Sequence, residues 1–182
     1  MLMLTLGVLL WSFAHLFKRL APAVREGMGD GGKLVVTLAL IGSIALMTSG
    51  YQSAVGSIWW VRQPSWVLLN NALMVLALYL MVASSLKVRV TGLVRHPQLT
   101  AIKAWSVGHL LVNGDAPSFV LFGGLLIWAV VTVIVINRQD GKPALPSIDT
   151  SLPREVFAVI VTGALYFGVA QAHAYLGYPV HG

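Results

Sequence analysis

SFVLFGGLLIWAVVTVIVIN, Ser118–Asn137, runs for twenty residues without one charged side chain. A hydrocarbon core about 30 Å thick is crossed by about 17–25 apolar residues at the helical rise, and this stretch meets that requirement by itself. Working outward, Met1–Phe17, Lys33–Ser53, Trp66–Leu86 and Glu155–Leu176 are of the same kind. Composition agrees, with 57% hydrophobic residues, 10% charged residues and a mean hydropathy of +0.81. A soluble domain carries about 25% charged residues because its surface faces water. Twelve Lys and Arg and six Asp and Glu cannot coat a globule of 182 residues. The expected fold is all-α, a polytopic membrane helical bundle whose partner over most of its surface is the lipid bilayer.

A sixth helix is expected over Pro97–Val112 (PQLTAIKAWSVGHLLV), where Pro97 suits a first helical turn and Asn113-Gly114 a stop. Its polarity places it inside the bundle. Loop charge supports the count of six. Lys and Arg number four in the first loop (Lys18, Arg19, Arg25, Lys33) and one in the second (Arg62). The third region has four (Lys87, Arg89, Arg95, Lys103), the fourth none, the fifth three (Arg138, Lys142, Arg154) and the C-terminal tail none. This alternation follows the positive-inside rule and puts both termini on the outer, periplasmic side of a bacterial inner membrane. A five-helix arrangement would break it. Trp59, Trp60 and Trp66 mark the outer interface, and Asp115 is a candidate N-cap for the helix after it. No internal repeat or soluble domain is visible, so residues 1–182 read as one transmembrane domain.

Several classes of function fall away. A pI near 10 would suggest nucleic acid in a soluble protein. Here the cations sit in short loops, where membrane topology alone accounts for them, and no nucleic-acid partner is expected. The chain has no cysteine, which excludes disulfides, thiolate metal sites and cysteine nucleophiles. The apolar N-terminus reads as a retained helix and not a secretory signal, because its positive charge follows the apolar run instead of preceding it. No HExxH, GxSxG or P-loop is present, and the glycine-rich Gly27–Gly32 reads as a loop between spans.

Polar groups within spans are the candidates for chemistry. Lys103, Ser106, His109 and Asn113 recur at spacings of three, three and four, along one side of their helix. Such a stripe serves equally as hydrogen-bonding glue between helices or as a ligand site. Arg95-His96-Pro97 puts His96 at a cap position, available to ligate a metal or accept a hydrogen bond, with Arg95 beside it to hold an anionic group. His15 lies towards the inner end of the first helix and His173 towards the outer end of the last. Histidines without cysteine suit haem better than zinc. Haem asks for one or two axial imidazoles and an apolar pocket, whereas zinc asks for three or four converging ligands.

RHPQLTAIKAWSVGHLLVNGD (Arg95–Asp115), the first helix with His15, Arg25 and Gly32-Lys33, and the later GGLLIWAV resemble the NnrU family, which is associated with nitrite and nitric oxide reduction. The resemblance covers most of residues 1–137 and is only hydropathic beyond. That family is similar to zeta-carotene isomerase, a membrane protein that uses haem b. The resemblance implies a haem b cofactor with His15 and His109 as axial ligands, and membrane subunits of nitric oxide or nitrite reductases as partners. Ser106 stands where the isomerase has a cysteine proposed as an alternative ligand. Helical depth sets up a tension. Along straight helices His15 and His109 fall on opposite sides of the midplane, and His15 would pair with His96, His109 with His173. Haem-dependent isomerisation of a polyene or other lipophilic substrate is a second expectation. Arg-His-Pro also occurs in isoprenylcysteine carboxyl methyltransferases, but the acidic pair and tyrosine-bearing stretch that complete their cofactor site have no counterpart in NRQDGKPALPSIDT.

Overall fold

A computed structural model describes residues 1–141 and 144–180, so Lys142, counted above in the fifth loop, lies outside the described residues. The main helices are α1 (Leu2–Leu20), α2 (Pro22–Gly27), α3 (Gly31–Ser53), α4 (Pro64–Leu86), α5 (Pro97–Val112), α6 (Ala116–Gln139) and α7 (Leu152–Tyr175). Five of these are long and apolar enough to cross a membrane, and α5 is the shorter sixth. Its bounds are those read from the sequence. The five long helices mostly run a turn or less past their apolar runs, because helical hydrogen bonding continues into the interface after the greasy side chains stop. Proline at the first turn of α4, α6 and α7 begins each helix ahead of its apolar run. The glycine-rich first loop is not wholly irregular, since Pro22–Gly27 makes a short helix.

The helices pack as a curved row in which α3 lies on α1, α1 on α6, α6 on α5, α5 on α4 and α4 on α7. Small residues let the backbones meet. A Cβ on Gly7 would stand 2.7 Å from the backbone nitrogen of Met47, and one on Gly124 would stand 2.7 Å from Val8 Cγ1. Close approach of this kind is how helices associate in lipid, where apolar burial gives no driving force of its own. The largest buried cluster joins α1, α3 and α6 through Leu4, Val8, Leu16, Met47, Leu125, Trp128 and Ala129.

Contacts between loops fix which helix ends lie together. At one end a two-stranded ladder, β1 (Ile58–Trp60) with β2 (Gly114–Asp115), ties the second loop to the fourth. Arg62 donates there to the carbonyls of Pro179 and Val180 at 2.8 and 2.9 Å. At the other end Arg19 pairs with Asp140 at 2.9 Å, and the Arg89 amide donates to Glu155 at 2.9 Å. The second loop, fourth loop and C-terminal tail therefore share one end; the first, third and fifth share the other. That grouping requires α5 to cross from end to end, which makes six crossings. It also gathers the loop cations at one end and leaves Arg62 at the other. The ladder was not expected from the sequence. Three residues are too few to show a period of two, and the pairing is 54 or more residues apart in sequence.

The absence of native cysteine makes the sidedness testable. Val55→Cys in the second loop is expected to react with a membrane-impermeant maleimide on intact cells. Leu93→Cys in the third is expected to react only after permeabilisation; both positions are exposed (89% and 76%). Labelling of both from one side would contradict an α5 that spans.

Candidate functional site

α6 acts as a ruler for the histidines. His109 on α5 stacks on Phe122 with ring centroids 4.5 Å apart. His15 on α1 meets Trp128 edge-on at 4.9 Å. His96, at the N-cap of α5, pairs its Nε2 with Asn137 Oδ1 at 3.1 Å. Six residues of α6 separate the first two contacts and nine the last two, about 9 Å and about 13 Å along the axis. On α6, His15 therefore meets a residue that lies between those met by His109 and by His96. Phe122, Leu125, Ala129 and Thr132 form the buried stripe of α6, while Ile127, Val130 and Ile134 are exposed on its far side. Both imidazoles meet α6 at or beside the buried stripe.

The two histidines are built alike. His15 Nδ1 donates to the carbonyl of Trp11 at 3.0 Å, and His109 Nδ1 donates to that of Trp105 at 3.0 Å. A carbonyl can only accept, so each neutral ring carries its proton on Nδ1 and keeps a lone pair on Nε2. Hydrogen bonding of one ring nitrogen to a backbone carbonyl is how proteins orient metal-ligating imidazoles. Each ring also packs against its own tryptophan, at 4.1 Å for Trp11 with His15 and 4.8 Å for Trp105 with His109, tilted 43° and 47°. The sequence carried a signal for this that the search for repeats missed: WSFAH at 11–15 and WSVGH at 105–109 are the same W-S-x-x-H.

The surroundings differ. His15 is exposed, although its ring touches Trp128, whereas His109 is half-buried. Ser12 Oγ returns its hydrogen bond to Val8 at 2.7 Å, but its counterpart Ser106 is fully buried with no partner for its hydroxyl. Trp11 Nε1 and Trp128 Nε1 are also buried without partners. Buried polar atoms are normally paired; the two unpaired indole nitrogens belong to rings that pack on His15 and Ser106 lies three residues before His109, while Asn70 Oδ1 and Thr150 Oγ1 are likewise buried without partners. Phe119–Gly123 is a π-turn in α6, which places Phe122 under His109; such turns recur at functional sites.

The other candidates separate. Arg95 is exposed and makes no side-chain hydrogen bond or ion pair among the described residues, and His96 is tied to Asn137. Of the polar stripe, Asn113 Nδ2 closes on the His109 carbonyl at 2.8 Å, and Lys103 has no partner among the described residues. Asp115 is the cap expected: its carboxylate accepts from Ser118 N and Ser118 Oγ, both at 2.9 Å. Ser118 in turn meets Tyr51 Oη of α3 at 2.8 Å, a link the sequence did not announce. His173 lies near the C-terminal end of α7 with its Nδ1 on the carbonyl of Val169 at 2.9 Å.

Chemically, His15 and His109 each offer an imidazole with an available Nε2 lone pair beside aromatic rings, the kind of donor that haem iron accepts. Among the described residues no group of three or more His, Asp or Glu converges as zinc would require. The family model described as NnrU protein matches residues 3–180. It continues through α7, past residue 137, where the resemblance had become hydropathic only. No curated protein and no solved structure matches the chain.

Proposed function

The chain belongs to the NnrU family, and from that premise we propose that it is a haem b protein of the bacterial inner membrane that supports nitrite or nitric oxide reduction. The observation that carries this is the duplicated W-S-x-x-H geometry, which sets two ligand-ready imidazoles against one helix. Bound there, haem would supply one-electron exchange and a site for a diatomic ligand. The protein's own residues orient the imidazoles through Nδ1 and exclude water with Trp11, Trp105, Phe122 and Trp128. Membrane subunits of a nitric oxide or nitrite reductase are the partners this role implies.

The test is spectroscopic. Protein expressed with sufficient haem and purified in detergent is expected to show a Soret band that shifts on reduction with dithionite. A preparation without that band overturns the cofactor assignment. The exposure of His15 at membrane depth favours one further reading, haem-dependent isomerisation of a lipophilic polyene that enters sideways from the bilayer. Conversion of zeta-carotene in a reporter strain would support it, and unchanged carotenoid would remove it.

A further inference from the structure

The structure also has a place for the charged edge of such a cofactor. A cavity of about 380 Å³ at the inner end of the row is lined by Lys18, Arg19, Pro22, Gln139 and Asp140. Lys18 and Arg19 follow His15 by three and four residues, so they lie on its face of α1, about one turn (5.4 Å) nearer the aqueous end. We propose that this cavity receives the porphyrin carboxylates, with Lys18 and Arg19 as their counter-ions; the assignment rests on the haem reading above.

The charges of the molecule select this end. Haem b carries two carboxylates on one edge of an apolar macrocycle, and unpaired charge within a bilayer is costly. That edge must therefore turn towards water and cations. At the outer end the single loop cation, Arg62, is already bonded to the carbonyls of Pro179 and Val180. In the first inner loop Lys33 pairs with Asp30 at 2.8 Å and Arg25 donates to the Gly29 carbonyl at 3.1 Å. Lys18 alone of that loop has no ion pair or hydrogen bond among the described residues. Arg19 is held as a wall of the cavity, with Nη1 and Nη2 on Asp140 at 3.0 and 2.9 Å and Nη1 on Gln139 Oε1 at 3.3 Å. The Asp140 carboxyl is in turn held below the usual carboxylate range by its hydrogen bonds from Arg19. Two cations and one anion leave the lining with a surplus positive charge. Asp140 sets how much of Arg19 an incoming carboxylate can use.

The experiment compares haem b with its dimethyl ester, which keeps the iron and macrocycle and loses the charge. Apoprotein in non-ionic detergent is titrated with each, followed by the Soret absorbance. The ester is expected to bind at least tenfold more weakly. Lys18→Gln should weaken haem towards the ester's affinity and leave the ester unchanged. Asp140→Asn should strengthen haem without affecting the ester. Equal affinity for the two ligands in the unmodified protein, or undiminished discrimination in Lys18→Gln, overturns the proposal while leaving the haem reading in place. Failure of both ligands to bind overturns the haem reading itself, and this inference with it.

Discussion

Leucine in place of Gly50 is expected to release α1 from α3 and to leave little folded protein in mild detergent. A Cβ at Gly50 meets the backbone nitrogen and Cα of Leu4, and one at Gly7 meets the backbone nitrogen of Met47. Overpacking usually costs about 1–3 kcal/mol because neighbouring side chains yield. Here the obstacle is main chain, so the helices themselves must part. Leu4, fully buried, and Met47 would then lose their contacts, and with them the cluster that joins α1 to Leu125, Trp128 and Ala129. In lipid no hydrophobic effect compensates, since the separated faces are covered by acyl chains and the loss is one of close packing. Gly42, on the same helix with nothing within 4 Å of its Cβ position, is the control. Gly42→Leu should melt with the unmodified protein in a size-exclusion thermal assay, and Gly50→Leu should elute as aggregate. A normal melting temperature for Gly50→Leu would mean that the two backbones are not in contact.

Hydropathy made the five long helices legible because the bilayer imposes one length and one chemistry on each of them. The sixth, α5, was marked by Pro97 and by the Asn113-Gly114 stop, and loop charge supported it. What hydropathy could not supply was which helix touches which. In lipid the helix faces that meet are marked by small residues, and Gly7, Gly50 and Gly124 look no different in the sequence from Gly42, Gly163 and Gly168, which touch nothing. The site was half legible for a related reason. His15 and His109 stand out as polar residues in spans, but the rings that orient them are tryptophans that any interfacial or core position would accept. Only the recurrence of W-S-x-x-H separates Trp11 and Trp105 from the rest. Depth was not legible in residue number alone, because a straight helix converts residue number into height and a tilted helix does not. Phe122 meets His109, Trp128 meets His15 and Asn137 meets His96, which sets the order of the three histidines along α6.

That depth leads to the second large effect: His15→Ala is expected to lose haem, and His109→Ala to retain it with an altered spectrum. Two imidazoles on one iron place their nitrogens about 4 Å apart, since metal–imidazole bonds are about 2 Å. The residues of α6 that the two rings contact are about 9 Å apart along its axis, wider than that span, so on the haem reading one ring is expected to ligate and the other to face the haem. On that reading the cations favour His15 as the ligand. Lys18 and Arg19 lie one turn from His15, whereas Lys103, the cation on the His109 side of α5, is six residues away, about 9 Å, and Arg62 at the His109 end of the bundle is engaged with the tail. His15→Ala should therefore lower the Soret absorbance per protein at least tenfold. His109→Ala should keep the band but change its position and the affinity of the ferrous protein for carbon monoxide or nitric oxide. His96→Ala, with its ring bonded to Asn137 about 13 Å along α6 from the level of His15, should leave both unchanged. Equal loss of haem from His15→Ala and His109→Ala would mean that both ligate one iron. α1 and α5 would then have to slide past α6 by more than half a turn on binding it, and the contacts of Trp128 and Phe122 would describe the apoprotein alone.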